Sequence, residues 1–157
     1  MKRALAFILS AGLLAAAGTS YAADHNAIHE KMMKMGGPKP DDRVELKLPE
    51  PMKAMQKRMM RQHLDTVSEI AAALGANDMN KAASIARGLG WTPEEEERCE
   101  AVGEMTGETD FLSLGKAVHV TADELAEAAQ AGNRDKALMD LSRLIKNCNS
   151  CHEKFRH

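Results

Sequence analysis

Aromatic side chains are scarce: one tryptophan, one tyrosine and three phenylalanines in 157 residues. Strands favour aromatic and β-branched residues, whereas the alanine, leucine, methionine and charged residues that dominate here favour helices. Basic charge is not in excess either. Lysine and arginine number 21 against 23 aspartates and glutamates, so the cationic footprint of a nucleic-acid or anionic-membrane binder is missing. The three cysteines form one Cys-x-x-Cys, and without a second such pair a four-cysteine zinc site is excluded. No hydrolytic triad, phosphate-binding glycine loop or paired-carboxylate site can be read, and no enzymatic role is expected.

The longest apolar run lies at the start. Lys2 and Arg3 precede a small, apolar stretch from Ala4 to Ala17, and Ser20-Tyr21-Ala22 offers small residues where a signal peptidase reads them. Residues 1–22 are therefore expected to be an export signal cleaved after Ala22, which places the mature protein in the periplasm. As a membrane anchor the run is too short to span comfortably, so no stable membrane insertion is expected. Cleavage removes two cations and leaves the mature chain more acidic.

Residues 23–50 read as an irregular leader, broken by Gly36-Gly37-Pro38, Pro40 and Pro49, with Pro51 just beyond. His25, His29, Met32, Met33 and Met35 gather there. Imidazole and thioether suit copper, but a loosely packed leader is the reading preferred.

From residue 51 to 157 the pattern is helical. Met60, Leu64, Val67, Ala71 and Leu74 step by four and three, one buried stripe on a helix from about Met52 to Leu74. A second helix follows, with Asp78 as N-cap and Gly88 or Gly90 near its end. Thr92-Pro93-Glu94-Glu95 is a capping box that opens a short acidic helix through Cys99 toward Val102. Glu94 to Glu97 reads as its solvated start, favoured by the helix dipole. Phe111, Leu114, Val118, Ala122, Leu125 and Ala129 mark a third long helix from Thr109 or Asp110. Gly132-Asn133 is a turn, and a last helix runs from about Arg134 to Phe155. Lys81-Ala82 and Lys136-Ala137 follow similar alanine-rich turns. Unless the likeness is chance, two matching helix hairpins would pack as an all-α antiparallel four-helix bundle.

The last helix carries the chemistry. Cys148-Asn149-Ser150-Cys151-His152 is the signature of covalent haem attachment. Cysteines three apart each reach a vinyl group from one helical turn, and the adjacent histidine reaches the iron from the same side. A redox disulfide would need a strand-rich thioredoxin-like pattern, and none precedes the motif. Leu138, Leu141, Ile145, Cys148, His152 and Phe155 step by three and four, which would set the ligands on the core face.

A C-terminal Cys-x-x-Cys-His-x-x-Phe-Arg, here Cys148 to Arg156, on the last helix of an alanine-rich bundle resembles the class II c-type cytochromes, the cytochrome c prime family. The likeness covers about Met52 to Arg156. The acidic helix and Cys99 depart from the family pattern. The resemblance implies one haem c, with its iron on His152, and a first-helix residue facing the iron's open side. A methionine there makes a six-coordinate electron carrier, and an apolar residue leaves a five-coordinate site for nitric oxide or carbon monoxide. Met52, Met55, Met59, Met60 and His63 are available. Met60 lies at the centre of the expected stripe, with His63 about 60° and Met59 about 100° away, and Arg61 after it resembles the pair seen in methionine-ligated members. The expected haem and metal residues are thus Cys148, Cys151, His152 and Met60, with Met59 and His63 as rivals and core packing as the bland account of Met60. His119 is expected to be structural or exposed. The function expected is electron transfer with a redox partner protein, gas binding being the alternative. Cys99 is left to pair across a homodimer or to stay buried and free.

Overall fold

The computed structural model describes residues 18–36 and 40–157. The expected export signal falls mainly on residues 1–17, outside the described residues. The chain divides into two compact units, residues 1–42 and 43–157.

In the first unit, α1 spans Gly18–Lys34. The leader expected to be irregular is therefore helical over this stretch. The physical reason is position: the breakers Gly36, Gly37, Pro38 and Pro40 all follow it, and Ala27, Glu30, Lys31, Met32, Met33 and Lys34 just before them are good helix formers.

The second unit is an all-α four-helix bundle made of α2 (Glu50–Gly75), α3 (Met79–Arg87), α5 (Asp110–Gln130) and α6 (Arg134–Lys154). Neighbours pack in a closed ring, α2 on α3, α3 on α5, α5 on α6 and α6 on α2, while α4 (Pro93–Thr106) lies against α5. The two hairpins share one turn. Asp78 N–H bonds Ala73 O and Asn77 N–H bonds Leu74 O; Asn133 N–H bonds Ala128 O and Gly132 N–H bonds Ala129 O. Each is a Schellman closure, with Asn77 (φ 57°) and Gly132 (φ 70°) in the left-handed position. The next residue then caps the following helix: Asp78 Oδ1 accepts from Lys81 N–H at 3.0 Å, and Asn133 Oδ1 from Lys136 N–H at 3.1 Å. The echo in the sequence is thus a structural repeat, with Asp78 matching Asn133.

Two apolar clusters hold the bundle. One joins Ile70, Leu74, Leu125 and Leu144 with many alanines, among them Ala82, Ala86, Ala122 and Ala137. Small side chains let four backbones approach closely. The other joins Leu46, Leu48, Cys99, Val102, Phe111 and Phe155. Leu46 and Leu48, assigned to the leader from the sequence, are fully in this core. Val44-Glu45 (β1) pairs in parallel with Phe155-Arg156 (β2), and Leu46 N–H extends the pairing to Arg156 O at 2.8 Å. Alternation of apolar and charged residues in Val44-Glu45-Leu46-Lys47-Leu48 is the period-two signal that marks this strap.

The buried faces of α2 and α6 differ from the expected stripes. On α2, Gln56, Ile70, Ala73 and Leu74 are buried, while Leu64 is 68% exposed and Ala71 is exposed. The centre of the buried face moves by about 60°, to the direction of His63. On α6, Ala137, Asp140, Leu141 and Leu144 are buried, while Leu138, Ile145 and His152 are exposed. Asp140 is tolerated inside because Lys136 (2.6 Å) and Arg143 (2.9 Å) neutralise it. Among the described residues no helix is long and apolar enough to cross a membrane.

Candidate functional site

Helix α3 is only nine residues long, and its shortness shapes the site. Beyond its end, α4 supplies the fourth wall of the bundle. Gln56 to Val67 of α2, Glu95 to Val102 of α4, Phe111 to His119 of α5 and Ile145 to His152 of α6 contribute the lining of a largely apolar cavity of about 330 Å³. That size lies at the lower end of the range for ligand sites. The connection into α4 is tied to α5, because Asp123 Oδ2 accepts from Trp91 N–H at 2.8 Å. Gly90 is required beside it, since a Cβ there would strike the Asp123 carboxylate.

Cys148, Cys151 and His152 all line this cavity from the last turns of α6. The end of α6 is held by the strap: Arg43 Nη1 donates to His152 O at 3.2 Å, and Phe155 N–H closes on Cys151 O. Burial pushes the Cys151 thiol up to about 11, with Cys148 adding to the shift, and burial raises Cys148 as well. Both sulfurs are therefore thiols at neutral pH, and net addition of each across a haem vinyl group would need no oxidant.

Met59, Met60 and His63 line the α2 wall. Met60 also borders a second, smaller hollow, which again includes His152 and is surrounded by Arg43, Lys57, Arg61 and Arg156. His63 turns to α5, where its ring meets the His119 ring edge-on at 5.4 Å. Burial, then the nearby His119, holds His63 down at about 4, against a smaller opposing pull from Glu95.

His119, Glu95 and Arg98 also line the cavity; the sequence reading had His119 as structural or exposed and gave Arg98 no role. His119 is buried at 4% exposure, with Nδ1 2.7 Å from Leu89 O. A carbonyl only accepts, so Nδ1 carries the proton and Nε2 faces Glu95 Oε2 at 3.6 Å. Glu95, placed in a solvated helix start, is turned inward and also binds Arg98 at 2.6 Å. Helical spacing held the signal: Glu95, Arg98, Cys99 and Val102 at i, i+3, i+4 and i+7 form one face. Cys99 is a buried free thiol, raised to about 11 by burial. It rests so close to Gly115 that a side chain there would collide with its sulfur. Reaching a cysteine of another chain would require α4 to open.

The donor set fits a covalently held iron porphyrin. Two thiols and an imidazole share one helical turn, and Leu64, Val67, Val118 and Ile145 supply apolar contact. Leu64 and Ile145 break the burial pattern of their own helices, yet both lie on this cavity. A family model described as Cytochrome C' matches residues 47–156. No curated protein and no solved structure matches the chain.

Proposed function

The chain belongs to the cytochrome c′ family and binds haem c covalently, and from that premise we propose that it is a periplasmic single-haem electron carrier whose iron is held by His152 and Met60. The observation that carries the reading is one cavity with Cys148, Cys151 and His152 on its α6 wall and Met60 on its α2 wall. The haem supplies a one-electron iron couple.

The chain's residues do the rest. Cys148 and Cys151 would anchor the porphyrin, and the adjacent His152 would hold its iron. Support for Met60 over its neighbours comes from contact with both hollows that contain His152. His63 is engaged with His119. A thioether ligand from Met60 would favour the ferrous state more than a second imidazole would. The apolar walls exclude water, and ligands held by rigid helices keep reorganisation small. Periplasmic placement rests on the export-signal pattern and agrees with family members being typically periplasmic.

Absorption spectra of the ferric and ferrous protein test this. Low-spin bands, a methionine–iron charge-transfer band in the far red and no change with carbon monoxide are expected. A high-spin ferrous spectrum that shifts with carbon monoxide would replace the carrier by the gas-binding alternative.

A further inference from the structure

We propose that the mature amino terminus, Ala23-Asp24-His25, is a copper(II) site. The inference rests on cleavage after Ala22, and is independent of which ligand faces the haem.

In α1 the backbone N–H groups of residues 23–26 pair with carbonyls four residues earlier, from 19 to 22. Cleavage removes those acceptors. The new α-amino group of Ala23 and the amides of Asp24 and His25 then lie in a first turn without intrahelical partners. A histidine at the third position lets its Nδ1 complete a plane with these three backbone nitrogens, in fused chelate rings. Among the described residues no three His, Cys, Asp or Glu side chains are grouped to hold a metal; the site proposed here draws three of its four donors from backbone nitrogen and the fourth from His25, which is exposed.

A tetragonal all-nitrogen set takes copper(II) or nickel(II). Of the two, copper(II) is bound more tightly by the same donors, in the Irving–Williams order. His29 lies one turn on from His25, and Met32 (67% exposed) and Met33 (54%) lie one turn further. Residues at i, i+4, i+7 and i+8 share a helix face. That face sets imidazole and thioether donors near the copper(II) site without making them part of its four-nitrogen set. Binding changes no oxidation state. Copper(II) displaces the protons of two amides and of the terminal ammonium, and these go to solvent.

The test uses the secreted holoprotein titrated with copper(II) chloride. Intact mass should place the first residue at Ala23. One equivalent should give a tetragonal four-nitrogen electron paramagnetic resonance signal, with proton release and an unchanged haem spectrum. Asp24→Pro, which removes one amide ligand while keeping every histidine, should abolish that signal, as should His25→Ala. His29→Ala should retain it. A mature chain beginning elsewhere, or a four-nitrogen signal that survives Asp24→Pro or His25→Ala, overturns the site. Failure of the haem reading would appear in the optical spectrum of the same sample and leaves this result separate.

Discussion

Three side chains on two turns of α2 reach the same cavity, and substitution separates them. Met60→Ala should convert the iron to high spin and allow fast carbon monoxide binding. Met59→Ala should leave the optical spectrum nearly unchanged. If His63→Ala produces the high-spin form instead, the axial pair is two histidines and the potential falls. His63 also makes stability depend on pH. Its folded pKa of about 4 lies below the ordinary 6.5, so the unfolded chain takes up the proton first as pH falls. Stability is whole above pH 6.5 and is lost between 6.5 and 4, by at most on the order of 3 kcal/mol. Urea unfolding of the holoprotein at pH 7 and pH 4.5 should show a larger acid loss for wild type than for His63→Gln. Equal losses would mean that His63 is not the group responsible.

The hairpins make a prediction at the next scale. Asp78 and Asn133 occupy equivalent places in the same Schellman-to-cap turn. Replacing either by alanine should cost about 1 kcal/mol, and the two costs should match within a few tenths. A large inequality, read from chemical denaturation midpoints, would show that the turns are not equivalent. Caps, breakers and heptad-like steps are local, which is why the helix ends at Gly75, Asp78, Thr92 and Asn133 were legible from the sequence. Helix rotation is not local. The expected stripes placed Leu64 and Ile145 in a protein core, but these residues lie on the cavity, and apolar periodicity cannot distinguish a face that meets another helix from one that meets a porphyrin.

For the whole molecule, the site lies between two apolar clusters and is lined by four helices, so a haem held there would complete the core. Cys148→Ala with Cys151→Ala should abolish covalent attachment, read as loss of one haem from the intact mass and release of pigment into acidic acetone. The protein lacking haem should be less helical and melt at a lower temperature than the holoprotein, since a ligand that binds the folded state stabilises it. A protein without haem that is as helical and as heat-resistant would argue against burial of the haem between the helices.

Some features could be read along the chain because neighbours in sequence create them: the helical class, the paired turns, and the Cys148, Cys151 and His152 spacing that sets all three on one cavity. Other features depend on contacts between residues far apart. The strap from Val44 to Leu48 finds its partner only at Phe155, more than a hundred positions away. Helix α4 becomes a wall of the site only because α3 stops early and Asp123 pins the connection. His119 and Glu95 meet across two helices, and the contacts of His119 with Leu89 and His63 come from the packing of α5 against other segments, which its own sequence does not encode.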